Sequence, residues 1–220
     1  MASDTQKKPD YSTWLTTTRL AIQEKASIDS RLHEWPALVL VRDLYECGRA
    51  GMQTVYEFGC GTGILASLLP KNLRYIGIDN HAESISIARA RCQRNDFRFD
   101  QFDIHDGVPD YMMRRASWVI AWAFFKHFSL DGWVNLVSNL IRTGDRAVFN
   151  CCVSEQAHDD GTEFHHVHVT REMVNEAVSK AGHTVVLERT RGEPFKTSQG
   201  YTSVQPLFLT RRNARQDRID

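Results

Sequence analysis

Residues 11–50 space their apolar side chains at helical rather than alternating intervals, and Pro36 suits the first turn of a second helix, with Gly48 or Gly51 at its end. The rhythm then changes. Short β-rich runs predict strands at 54–58, 74–78, 97–102, 118–122 and 146–152. Helices are predicted between them at 64–69, 82–93, 111–115 (short) and 130–141, the last closed by Gly144. Such repeated β-α units build a mostly parallel sheet with helices on both faces. Beyond Cys152 the alternation breaks, and a polar loop holding Asp159-Asp160-Gly161 leads through Phe164-His165-His166-Val167-His168 to a helix at 171–181 that Gly182 ends. Two strands follow, at 183–191 and 203–210. The Gly/Pro/Ser loop between them is too short for a crossover helix, so they are predicted to pair as an antiparallel hairpin.

This pattern divides the chain into a helical preface over 1–52, one α/β domain over 53–210 and a tail over 211–220. The tail has almost no apolar residue, which predicts disorder. A length of 220 residues with 42% apolar side chains is enough for one buried core, so one domain is the expectation. Lys and Arg number 27 and Asp and Glu 27, so no global field draws the chain to nucleic acid or to an anionic membrane. The five cysteines are an odd number with no C-x-x-C pair, the amino terminus is polar, and no stretch approaches the roughly 20 apolar residues of a membrane span. A cytoplasmic protein without a membrane anchor is the resulting expectation.

Chemistry enters with Glu57-Phe58-Gly59-Cys60-Gly61-Thr62-Gly63, between a predicted strand and a predicted helix. Glycines at alternate positions let the chain turn sharply and let a ligand touch bare backbone, which is the use a nucleotide-cofactor loop makes of them. Asp79 closes the second strand, beside that loop, where its two oxygens can accept both hydroxyls of a ribose. Asp103 adds a carboxylate at the end of the third strand. It either accepts a hydrogen bond from an adenine amino group or, like Asp106, caps the next helix.

These three elements, in this order and spacing, resemble the class I S-adenosylmethionine-dependent methyltransferases over about residues 54–210. The resemblance implies a Rossmann-like, seven-stranded, mostly parallel sheet with a terminal antiparallel hairpin, helices on both faces and the preface as an N-terminal helical lid carrying Tyr11, Trp14 and Trp35. It assigns Gly59, Cys60, Gly61 and Gly63 to the methionine side of S-adenosylmethionine and Glu57 to support of that loop. Asp79 would bind the ribose, Asn80 would lie near the adenine, and Asp103 with Ile104 would read its edge. One departure is Ser117 at the start of the fourth strand, where many relatives carry an acid.

The loop also satisfies the looser G-x-G-x-x-A pattern through Gly61, Gly63 and Ala66, so an NAD(P)-dependent oxidoreductase is the rival reading. Glu57, Asp103 and the absence of a second nucleotide half favour the methyltransferase. For the acceptor, the segment Trp122-Ala123-Phe124-Phe125-Lys126-His127-Phe128 lacks both an Asp/Asn-Pro-Pro-aromatic motif and a Pro-Cys nucleophile, which argues against DNA bases. Trp122, Phe124 and Phe125 suit a cationic cofactor, an apolar acceptor or plain core packing. His127 is read as a general base or as a pocket histidine, and His165 and His168 as pocket-wall residues in reach of the acceptor. No matching Cys or carboxylate set accompanies the histidines, so no metal is expected. The favoured expectation is O- or N-methylation of a small molecule. A protein or RNA acceptor is the alternative, RNA through Arg89, Arg91, Arg94 and Arg98 unless these only form a solvated face.

Overall fold

The computed structural model describes residues 53–69, 73–112, 116–161, 166–197 and 199–214. The preface at 1–52, with Tyr11, Trp14 and Trp35, lies outside them, as do His165 and the tail from 215 onward.

Five strands come from the β-α part of the chain: β1 (Gln53–Phe58), β2 (Leu73–Asp79), β3 (Phe97–Gln101), β4 (Ala116–Ala121) and β5 (Gly144–Asn150). Helix α1 (Ile64–Leu68) follows β1, α2 (Ala82–Arg91) follows β2, and α3 (Trp133–Arg142) precedes β5. All four pairings among these strands are parallel, in the order β3-β2-β1-β4-β5. The chain therefore winds outward from β1 in both directions. A crevice opens outside the carboxyl ends of β1 and β4, the switch point where open α/β sheets bind ligands.

Period-two alternation along the strands feeds two separate cores. On one face Val55, Trp118, Ile120 and Val148 pack with Leu65 and Ala66 of α1 and Ile85 and Ala88 of α2. On the other, Tyr56, Phe58, Val119, Ala121, Ala147 and Phe149 pack with Trp133, Val137, Leu140 and Ile141 of α3. Helix α4 (Arg171–Lys180) covers that same face through Val174, Ala177 and Val178.

The class is the expected one, but among the described residues the sheet has ten strands rather than seven. The predicted strand at 146–152 breaks at Cys151 and resumes as β6 (Cys152–Ser154), and β7 (His158–Asp159) and β8 (Val167–Val169) arise within the polar stretch read as loop. Strands of two or three residues are too short to show alternation. They exist because β6 finds Ser203 and Val204 of β10 (Thr202–Arg212) on one side and β8 on the other. The terminal hairpin of β9 (His183–Lys196) with β10 is antiparallel as predicted, although β9 continues past 191 and β10 past 210. The extension of β10 corrects the boundary of the expected tail. Its Arg211 pairs Arg146 across the ladder and the Arg212 guanidinium donates to the carbonyls of Arg142 and Gly144, bonds that need no apolar side chain.

A run of rings fixes the segment after β4. Trp133 is fully buried, its Nε1–H donates to the Phe125 carbonyl at 2.9 Å, and Phe125 packs edge-on to Phe149, which stacks on Phe208. Trp133→Phe should therefore cost about 2–4 kcal/mol, the sum of an orphaned buried carbonyl and an unfilled volume. Urea denaturation checks it, and a loss below about 1 kcal/mol would mean that the Phe125 carbonyl finds another donor.

Candidate active site

Between β1 and α1 the backbone takes left-handed conformations at Gly59, Gly61 and Gly63, with φ of 72°, 51° and 73°. The three glycines are not equivalent. A Cβ at Gly59 would stand 2.3 Å from the Phe124 ring, and one at Gly63 would press on Ala88 at 3.0 Å, whereas nothing lies within 4 Å of the same point at Gly61. Gly59 thus lets Phe124 close over the loop, Gly63 lets α2 approach, and Gly61 presents bare backbone to open space.

Asp79 ties this loop to its neighbours. Its Oδ2 accepts the amide N–H of Gly61 at 3.0 Å and its Oδ1 that of His81, just ahead of α2, at 2.9 Å. Burial pushes its carboxyl up from the ordinary value, against these two amides and the nearby His81, which lower it. The loop is further sealed by the Gly59 and Cys60 amides, which both donate to the Ile78 carbonyl.

Beneath the loop, Glu57 is 4% exposed and accepts a short hydrogen bond from the Tyr75 hydroxyl. Neighbouring Gly77 is required there, because a Cβ would meet the Tyr75 oxygen at 2.6 Å and Cys60 at 2.9 Å. Burial raises the Glu57 carboxyl to about 8; the Tyr75 bond works against the rise and the Asp79 charge adds to it. Cys60 is buried in the loop itself, and burial with the Glu57 and Asp79 charges holds its thiol well above the usual range.

On the far side of the crevice Asn80 is exposed and its carbonyl accepts from Gln101. Asp103 Oδ1 caps the short 3-10 turn Ile104–Asp106 through the His105 amide at 3.0 Å, so the capping role weighed for it is real, and Ile104 is buried behind it. Of the arginines, Arg89 donates to the Phe99 carbonyl, Arg91 to Thr62, and Arg94 to the Leu69 carbonyl and Asp96, while Arg98 pairs with Asp100 at 2.6 Å. They brace the sheet instead of forming an unengaged basic face.

After β4, Trp122 is half-buried and Ala123 takes φ 52°, left-handed for a residue with a Cβ. Its amide donates to Oδ1 of buried Asn150 at 2.6 Å, which holds the strained turn; such a conformation costs about 1–2 kcal/mol and clusters at functional sites. Phe125–His127 form a 3-10 turn beside β8, with the His127 and His166 rings edge to face at 5.6 Å. Burial and the Lys126 charge lower His166 to about 4, so its imidazole is neutral at pH 7, although Asp160 works the other way. His168 goes elsewhere. It is 2% exposed, its Nδ1 meets Ser203 Oγ at 2.8 Å, and its ring stacks on His158 at 4.5 Å. Of the three histidines singled out in the sequence, His165 lies outside the described residues and His168 is packed away from the turn after β4; His127 lies on that turn, and its neighbour is His166, to which the sequence gave no pocket role. Lys126, Asn150 and Tyr75 were also missed; the register of β8 on β6 that brings His166 to His127 leaves no mark in the sequence.

Among the described residues no group of three or more His, Cys, Asp or Glu is placed to hold a metal ion, no helix is long and apolar enough to cross a membrane, and Cys60, Cys92, Cys151 and Cys152 are free thiols.

Residues 55–144, which carry the glycine loop, Asp79, Asp103 and His127, match the family model described as a methyltransferase domain. Solved structures share the fold over nearly the whole chain. Magnesium protoporphyrin IX methyltransferase from Synechocystis, with S-adenosylhomocysteine bound, is 15% identical, with 93% of this chain and 98% of that one covered and a TM-score of 0.68. An S-adenosylmethionine-dependent methyltransferase from Clostridium acetobutylicum is 11% identical, with 90% and 99% covered and a TM-score of 0.65. Residues 55–144 are thus similar to a methyltransferase domain, and the chain shares the fold of S-adenosylmethionine-dependent methyltransferases. The N-terminal domain of EvdMO1, solved in the presence of S-adenosylhomocysteine and D-fucose, is a further structural neighbour (14% identical, 83% and 84% covered, TM-score 0.60). No curated protein matches the sequence.

The buried acid beneath the loop carries a pH signature. Glu57 titrates near 4.5 when unfolded and near 8 when folded, so the native state holds the extra proton between those values. Its contribution to stability is complete below about pH 4.5 and is lost as pH rises through about 8. Glu57→Gln accepts the Tyr75 bond but cannot ionise, so its melting temperature should fall less than that of the wild type between about pH 5 and about pH 9. Parallel curves would place the Glu57 titration elsewhere.

Proposed function

We propose that the protein methylates an oxygen or nitrogen of a small molecule in the cytoplasm, with S-adenosylmethionine held across the crevice. Gly59, Cys60, Gly61 and Gly63 would take its methionine side, Asp79 the ribose, and Asn80, Asp103 and Ile104 the adenine, with Trp122 on the pocket wall. The observation that carries this reading is the Asp79 carboxylate. Each oxygen has one lone pair bound by a backbone amide and a second for a ribose hydroxyl, so loop and ribose site are one rigid unit. The open space above Gly61 fits a ligand pressed against the backbone. When bound, the cofactor supplies an electrophilic methyl group on a sulfonium.

The chain's part is alignment, exclusion of water and removal of one proton. Phe124, packed on Phe128 and over Gly59, walls the site with apolar surface. His127 takes the proton of the nucleophile or orients it, with the His166 ring edge to face against it. A small acceptor is favoured because Arg89, Arg91, Arg94 and Arg98 each spend donors on internal bonds, which leaves fewer of them for an RNA backbone. Two neighbours of the same fold also point to small acceptors, one named for magnesium protoporphyrin IX and one solved in the presence of D-fucose.

S-adenosylhomocysteine should raise the melting temperature while NAD and NADP do not; stabilisation by a nicotinamide nucleotide alone would replace this reading with the oxidoreductase. In calorimetric titration Asp79→Ala should bind S-adenosylhomocysteine about a hundredfold to ten-thousandfold more weakly, since two charge-assisted bonds and the loop anchor go together. Unchanged affinity in a folded Asp79→Ala variant removes this residue from the site.

His127→Ala should lower turnover about a hundredfold or more while altering cofactor affinity little. Asn at the same position keeps a hydrogen bond but takes no proton, so recovery of most of the activity by His127→Asn assigns orientation, and failure of both assigns the base. Normal turnover in both variants would shift the role to His166.

A further inference from the structure

A pair of imidazoles joins the two strands at the end of the β6–β8–β7 edge. His158 on β7 stands opposite His168 on β8, and their rings stack at 4.5 Å with the planes 1° apart. Both are withdrawn from water, at 7% and 2% exposure. Hydrogen-bond chemistry fixes their tautomers. The Gln156 carbonyl can only accept, so His158 Nδ1, 2.9 Å away, carries the hydrogen. The Ser203 hydroxyl gives its hydrogen to the Val153 carbonyl and so accepts from His168 Nδ1 at 2.8 Å. Each neutral ring is left with a bare Nε2. That of His158 is buried with no hydrogen-bond partner among the described residues, and that of His168 faces Asp160 Oδ2 at 3.9 Å, beyond hydrogen-bonding distance.

Protons gained on acidification go to these bare nitrogens and to the ring of His166, whose Nδ1 lies 4.0 Å from the same Asp160 oxygen. One carboxylate thus serves two imidazoles, and its Oδ1 already accepts the His166 amide at 3.1 Å. Lys126 and His127 of the turn after β4 face His166, and the Lys126 charge opposes a proton there. Against the stacked pair stand Asp159, the Cys152 residue opposite His168 on β6, Ser203 of β10, the Tyr201 ring and Phe195 of β9. A first imidazolium there is out of water, and a second faces a like charge across the stack. Burial, with His158 adding to it, lowers the His168 ring, as burial and Lys126 lower His166 to about 4.

We propose that the stacked His158–His168 pair, with Asp160, is an acid-sensitive latch that holds β7 on β8 at neutral pH and lets them open when the imidazoles gain protons. Because His166 leads into β8, opening also withdraws its ring from His127. The latch involves no cofactor or acceptor and so holds whatever the chain acts on. A released imidazole takes its proton near pH 6.5 and a latched one at lower pH, so the closed state binds fewer protons. Its stability is complete above about pH 6.5 and is lost as pH falls below that value.

Amide hydrogen exchange of the full chain, corrected for intrinsic rates, reads the latch strand by strand. Between about pH 7.5 and about pH 5 the amides of β7 and β8 should lose roughly tenfold or more of their protection, while those of β1 and β4 keep theirs within about threefold. His168→Asn keeps a donor for Ser203 but takes no proton, so its β8 amides should lose at least about threefold less than those of the wild type over the same range, with β1 and β4 reporting its fold. The wild type offers a second measurement that needs no substitution: the ring resonances of His168 should shift from neutral to protonated at the pH where β8 loses protection. Protection of β7 and β8 that does not change with pH, an equal loss in His168→Asn, or a His168 ring that titrates while β8 stays protected overturns the proposal.

Discussion

A single carboxylate, held by two backbone amides, organises the crevice. Asp79 ends β2, yet its oxygens reach the Gly61 amide in the loop after β1 and the His81 amide at the entrance to α2. Two β-α connections that are separate in sequence therefore share one anchor. Left-handed glycines give the loop freedom to unravel, and the carboxylate removes that freedom, because releasing either amide would leave a polar group without its partner in a partly desolvated place. The bare backbone at Gly61 stays exposed to the crevice only because its amide is pinned from behind.

That anchor puts a second demand on the layer below. Glu57 lies near enough to Asp79 for the two charges to repel, and both are drawn into the sheet's carboxyl end. Burial above all, with the Asp79 charge adding to it, raises Glu57 to about 8, so it stays mostly neutral at pH 7 while Asp79 keeps its amide donors. Tyr75 then serves as a fixed donor to Glu57 and its ring packs against Phe97 and Phe99, so the polar pair sits inside an aromatic collar. Gly77 has no side chain because the Tyr75 hydroxyl occupies that space. The glycine loop, the Asp79 carboxylate and the buried acid form one structure in which each constrains the next.

How much of this was legible in the sequence follows from the range of the interactions. The β-α units, the glycine loop and Asp79 are local features: strand alternation, a run of glycines and a residue at a strand end can all be read within a dozen positions. The helix at 171–181 ends one residue early, but Gly182 stands past it in the left-handed conformation that the reading required. The features that escaped depend on distant partners. Strands β6, β7 and β8 have two or three residues each and exist through pairing with β10 and with one another, across separations that no local pattern encodes. His168 looked equivalent to its neighbours in the sequence. Only the contact with Ser203, 35 residues away, shows it to be packed inside the extension, and only the packing of β8 on the turn after β4 brings His166 to His127.

The same division by range separates the two halves of the site. The proposed cofactor side is built from bonds among β1, β2 and their loops, an arrangement that the parallel ladder enforces and that many proteins of this fold can share. The proposed acceptor side lies where β4 and β5 meet the β6–β8 extension: Ala123 is strained and held by Asn150, Phe125 is locked under Trp133, and Asp160 gathers His166 and His168 on a two-strand edge. Rigid cores on one flank and short, bond-held strands on the other let the acceptor pocket change by altering a few residues of the extension without disturbing the glycine loop. On the proposed reading, selectivity for the molecule to be methylated resides in the extension and the turn after β4, where His127 stands, and not in the sheet that would hold the cofactor.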